Sequence, residues 1–120
     1  GASTANGSAV IFYAAKTTQD MYVKIVKIGG TNTRSKGTEA ATFYMRAGHS
    51  HTIYLAPGNY SVRIASGSGD SWYGESELFG EETGYFIGSE VLNVEMNYEY
   101  SYTLQTTSGS GSNTADKSYF

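Results

Sequence analysis

Cysteine is absent from this 120-residue chain. That excludes a disulfide framework, thiolate zinc sites, iron–sulfur clusters and cysteine nucleophiles. It leaves the compartment open, because a cysteine-free chain folds equally well inside or outside a cell. Charge is scarce, at 16% of residues, and the eight Lys and Arg form no cluster. With a pI of about 5.2, this argues against nucleic-acid binding. No apolar run approaches the roughly 18 residues of a membrane span, so membrane association is expected only through segments outside this chain. No signal peptide is visible. Catalytic signatures are missing as well: there is no G-x-S-x-G elbow, no P-loop and no G-x-G-x-x-G. The expectation is a protein that is not an enzyme, with no catalytic residue and no cofactor.

What is abundant is Gly, Ser, Thr and Tyr, with 15 glycines and 11 tyrosines. Such a mix of turn-formers and strand-formers fits an all-β protein, and it is common in extracytoplasmic bacterial domains. The opening GASTANGSAV is small and polar, like sequence just downstream of a removed export signal. A chain of this length forms one domain and can bury a core without disulfides or a structural metal.

Apolar–polar alternation marks the strands. Ala9–Ala14 is an apolar run of strand length, and Asp20–Ile28 sets Met21, Val23 and Ile25 opposite Lys24. Thr42–Arg46 and Thr52–Leu55 read as a hairpin around Ala47–Gly48, with Phe43, Met45, Ile53 and Leu55 inward. Ala56-Pro57-Gly58-Asn59 has the chemistry of a type II turn, leading into Tyr60–Ala65. Val91–Met96 and Tyr98–Gln105 close the β content. Seven or eight short strands at regular spacing predict a single β-sandwich, Ig-like or prealbumin-like. Residues 1–7 read as a disordered N-terminal segment, 8–107 as the sandwich and 108–120 as a flexible Ser/Gly-rich tail whose Tyr119–Phe120 could dock.

One stretch breaks the alternation. Gly67–Gly88 holds the single Trp, five of the eleven acidic residues and the adjacent Leu78 and Phe79. Loops on a rigid scaffold carry function more often than strands do, so Trp72, Tyr73 and Glu75 are the candidate binding residues. Ser71–Phe79 could form a short helical turn, with Ser71 or Ser76 as N-cap. Trp72 and Leu78–Phe79 are expected to fold the segment as a lid over an open end or edge of the sandwich.

Two other constellations suggest metal. Glu75, Glu77, Glu81 and Glu82 form a dense carboxylate group, but the register of a calcium loop is absent. His49 and His51 would point the same way in a strand, yet no third ligand can be named. The plain readings are a solvated loop and two solvent-facing histidines. Tyr13, Tyr22, Tyr44 and Tyr54 lie out of phase with the core residues of their strands, so an exposed aromatic face is conceivable. Asn59-Tyr60-Ser61 matches a glycosylation sequon, though backbone geometry alone explains its place at a turn. Charge is divided along the chain: residues 1–66 carry seven basic and two acidic groups, and residues 67–120 carry one basic and nine acidic. Strands of the two halves pairing side by side would explain this, and so would an acidic face offered to a cation or basic partner.

The series FYMRAG, LAPGNYSVRIASG and WYGESELFGEETGYF, with a closing YTLQ, resembles a family of small bacterial extracytoplasmic β-sandwich domains of unknown function. Its pattern is F-x-V-R-A-G, L-P-P-G-x-Y-x-L-R, W-Y-G-x-x-x-L-F-G-x-x-T-x-Y and Y-T-V-T-L-x-P. The resemblance covers roughly residues 10–107, and the W-Y-G stretch is its specific part. P-G-x-Y is shared with prealbumin-like and carboxypeptidase-regulatory-like sandwiches. This resemblance implies an accessory module, secreted, periplasmic or surface-anchored, and no reaction or cofactor. The tail SGSGSNTADKSYF departs from the family pattern.

Together these readings lead to a non-catalytic binding or structural domain at the bacterial cell envelope, with a protein or glycan partner. A carbohydrate- or peptide-binding module using exposed aromatics is the alternative, and a metal-binding protein is a second.

Overall fold

The computed structural model describes residues 7–14, 19–88, 90–104, 112–114 and 120. The readings placed on residues 1–6, 105–111 and 115–119, including a docked Tyr119, lie outside them.

The described strands are β1 (Ser8–Ala14), β2 (Asp20–Ile28), β3 (Thr38–Met45), β4 (Ser50–Leu55), β5 (Gly58–Gly67), β6 (Gly84–Gly88), β7 (Leu92–Val94), β8 (Glu99–Leu104) and β9 (Ser112–Thr114). They form two packed sheets, an all-β sandwich. The small sheet has the order β4-β1-β8, and the large one runs β3-β2-β5-β6-β9 with β7 also on β5. All pairings are antiparallel except β1 with β8.

The inward positions are those that alternation marks. Val10 and Phe12 of β1, Val23 and Ile25 of β2, Val62 and Ile64 of β5, and Leu104 of β8 fill the space between the sheets. Phe12 sits at the centre, with ring centroids 5.2 Å from Phe43 and 5.8 Å from Tyr102. Burying each such side chain stabilises the fold by about 1.5–3 kcal/mol. Tyr60 belongs to this core, and its hydroxyl donates to the carbonyl of Ala56 at 2.6 Å, four residues upstream. A tyrosine bonded back in this way ties a sandwich corner to its strand. Gly58 has φ 155°, far from the roughly +80° of a type II turn, and it already pairs with Val94 of β7.

The predicted hairpin is not one. β3 pairs with β2 and β4 pairs with β1, so the short link from Arg46 to His49 crosses from the large sheet to the small one. Phe43, Met45, Ile53 and Leu55 are still inward, but they face each other across the core. Alternation fixes which way a side chain points and leaves the pairing partner open. Two strands form where the sequence carries no alternating pattern. β6 lies inside the Gly67–Gly88 stretch, and β9 falls within the residues read as a flexible tail, where Ser, Asn and Thr supply no apolar alternation.

Candidate functional site

The Gly67–Gly88 segment leaves the end of β5 and folds back over the outer face of the large sheet, not over an end or edge of the sandwich. Ser68 caps a first 3-10 turn, Gly69–Ser71, by accepting from the Asp70 amide at 3.4 Å. Trp72 is extended. The chain then closes on itself: the Tyr73 amide donates to the Leu78 carbonyl and the Leu78 amide to the Gly74 carbonyl, both at 2.7 Å. A second 3-10 turn, Gly80–Glu82, precedes β6. Within Ser71–Phe79 the expected helical turn is reduced to this single Leu78-to-Gly74 turn, and it goes no further because Leu78 takes φ 54°, which a right-handed helix does not admit. Thr83 holds the turn: its Oγ1 accepts from the Phe79 amide at 3.0 Å and donates to the Gly80 carbonyl at 2.7 Å.

This backbone drives Leu78 and Phe79 into the protein, where they are 3% and 1% exposed. The row they cover runs across four strands in register: Tyr44, Tyr22, Ala65 and Tyr85. Trp72 lies with its ring centroid 4.9 Å from Tyr44 in an edge-on contact, 5.5 Å from Tyr22 and 5.2 Å from Phe79. Phe79 fits because residue 67 is glycine; a Cβ there would come within 2.5 Å of its side chain. Phe120 joins the same cluster beside Tyr22 and Tyr85, under the Lys24 ammonium 4.5 Å above its ring. Lys24 Nζ also donates to the Phe120 carbonyl oxygen.

Of the candidate binding residues, Trp72 is half-buried in this cluster. Glu75 is a tether, its Oε1 accepting the Tyr22 hydroxyl at 2.8 Å. Burial raises the Tyr22 pKa, helped by that carboxylate and opposed by a hydrogen bond with Thr42. Tyr73 is 66% exposed and lies over Gly80. The three residues do not converge on one site.

A different group does converge. Asp20, Tyr44, Arg46, Gly69, Asp70 and Trp72 line an open cleft of about 560 Å³. Asp20 is anchored at both oxygens: Oδ2 accepts the Tyr44 hydroxyl at 2.8 Å and Oδ1 accepts the Ala47 amide at 3.1 Å. Burial, then the bond and charge of Asp20, push the Tyr44 pKa up to about 12, with Arg46 pulling weakly the other way. The Arg46 and Asp70 side chains make no hydrogen bond or ion pair with any described residue. Asp20 and Arg46 escape sequence reading because they lie 26 positions apart and meet only through the β2–β3 register, Met21 opposite Met45. A smaller cleft of about 280 Å³ is lined by Tyr22, Lys24, Glu39, Glu75 and Phe120, among others.

The remaining candidates disperse. Glu77 and Glu81 line a shallow hollow with Thr83 and Tyr85, and the side chain of Glu82 lies outside the described residues. His49 sits in the turn before β4, while His51 stacks on Phe43 at 4.5 Å, where burial lowers its pKa. Among the described residues no three of His, Cys, Asp or Glu group as a metal ion requires. The Asn59 amide is engaged, donating to the Gly30 carbonyl at 2.9 Å and accepting from Asn93 at 2.5 Å. Tyr100 and Tyr102 pack against the core, Tyr98 is exposed, and Tyr13 and Tyr54 stand in solvent on the small sheet. The chain matches no family model, no curated protein and no solved structure.

Proposed function

We propose that this is a non-catalytic accessory domain of the bacterial cell envelope, acting outside the cytoplasm and binding a protein or glycan partner through the lid side of its large sheet. The observation that carries this reading is the division of labour in the lid. Its large apolar side chains are consumed in packing, while beside them an anchored carboxylate, a guanidinium and an indole line a cleft open to solvent. Small-molecule and partner sites are concave, with an apolar wall and a few placed polar groups. Both oxygens of Asp20 are already held, by the Tyr44 hydroxyl and the Ala47 amide, which suits a fixed hydrogen-bond acceptor for a ligand. The resemblance of WYGESELFGEETGYF to bacterial extracytoplasmic domains supports the location.

Co-sedimentation of the purified protein with isolated bacterial cell-wall sacculi and with envelope membranes tests the reading. Retention on either fraction, saturable and competed by excess unlabelled protein, is expected. A protein that stays in the supernatant with both would overturn it.

A further inference from the structure

We infer that the cleft beside Trp72 is a saccharide subsite, taking one or two uncharged pyranose units of a glycan. This rests on the binding-domain reading and names the ligand class of the same site.

The lining groups decide the class. Asp20 and Asp70 want hydrogen-bond donors, whereas Arg46 wants acceptors. A cation would be welcomed by the two carboxylates and repelled by the guanidinium. An anion would meet the reverse. A ligand that satisfies all three carries donors and acceptors side by side without net charge, and adjacent hydroxyls do this: each gives its hydrogen to a carboxylate and offers its oxygen to the arginine. Hydrogen bonds to charged groups are the stronger kind, so a few suffice to orient a neutral ligand.

The fourth element is the indole. Trp72 packs against Tyr22, Tyr44 and Phe79 and, with Tyr44, lines the cleft. A pyranose has an apolar C–H face as well as a hydroxyl rim, and a fixed aromatic ring covers such a face at low entropic cost. Asp20 is preorganised by Tyr44 and Ala47 and need not be ordered on binding. The space, about 560 Å³, exceeds a single sugar ring and is open, which suits a unit within a chain.

Trp72 is the single tryptophan and lines the cleft, so the indole emission comes from its wall. The probes are hexasaccharides of β-1,4-linked N-acetylglucosamine, β-1,4-linked glucose and α-1,4-linked glucose, with free L-lysine and L-glutamate as charged competitors. At least one hexasaccharide is expected to shift the emission saturably. Arg46→Ala and Asp70→Ala should each weaken that binding about tenfold or more, leaving the unfolding temperature unchanged, since neither side chain bonds to a described residue. Tyr54→Ala, on the opposite sheet, should bind as wild type. The inference is overturned by a flat response to all three glycans, by binding of the amino acids in their place, or by saccharide binding that survives both cleft substitutions. Retention on sacculi by the Arg46→Ala and Asp70→Ala variants would overturn this site while leaving the envelope-binding reading intact. Saccharide binding at the cleft without sacculus or membrane retention would do the opposite.

Discussion

Tyr22 and Tyr44 on the large sheet, and Tyr13 and Tyr54 on the small one, occupy equivalent places in their strands. All four alternate with core residues and point away from the space between the sheets. Their fates differ: Tyr22 is 7% exposed, whereas Tyr13 and Tyr54 are 45% and 44% exposed. The strands themselves show the same split. Eight consecutive residues of β5, Tyr60 to Gly67, are buried, while β1 is fully buried only at alternate positions. The large sheet is covered on both sides, by the core within and by the lid and the Gly29–Gly37 turn without. Under that turn, buried Arg63 donates to the carbonyls of Thr33 and Ser35 at 3.2 and 2.5 Å. The small sheet, mixed because β1 and β8 run parallel, keeps one wet face, with Tyr13 and Tyr54 exposed on it. An aromatic residue out of phase with the core therefore says only that it faces outward. Whether outward means solvent depends on what the rest of the chain lays over it.

Removing the lid's anchor should break this contrast most strongly. Phe79→Ala is expected to cost about 3–5 kcal/mol and to expose Tyr22 and Tyr44, read by urea denaturation and near-UV circular dichroism. Trp72→Ala should cost about 2 kcal/mol, because the indole is only half-buried. An unchanged unfolding temperature in that variant would show that the lid does not cap the sheet. Thr83→Val removes the acceptor of the Phe79 amide and should cost about 1–2 kcal/mol, with the loss concentrated in faster hydrogen exchange of the lid amides.

Alkaline pH sharpens the comparison from the electrostatic side. The folded protein holds the Tyr44 proton up to about 12, against 10 for the unfolded chain. The stabilising contribution is therefore complete below pH 10 and disappears as pH rises from 10 to 12. Tyr44→Phe should flatten the fall in stability across that window, measured against wild type by denaturant midpoint. The smallest effect belongs to the bare face: Tyr13→Ala and Tyr54→Ala should each change stability by about 0.5 kcal/mol or less. A larger loss would mean that this face, too, is covered.

The lid was legible as an exception, and its inward residues were legible as large apolar side chains in a polar, glycine-rich setting. Its landing place was not. Nothing in the order of residues says that Trp72 meets Tyr44 and Tyr22, because that contact depends on β2 and β3 lying side by side. The error at β3–β4 has the same root: Phe43, Met45, Ile53 and Leu55 point inward in a hairpin and equally in two facing sheets. The cleft shows the limit most clearly. Trp72 stands out in the sequence as the single tryptophan, but Asp20 and Arg46 are ordinary strand-end charges until register sets them around it.

By itself, then, the order of residues determined an all-β sandwich, the phase of most of its strands, and the segment that departs from them. Those follow from local periodicity, because an extended chain turns each neighbour to the opposite face whatever lies beyond. Tertiary structure alone decided which strands are neighbours, which outer face is roofed, and which charges surround the indole. These are contacts between distant residues, set by which arrangement buries Phe79, Leu78 and the two tyrosines together.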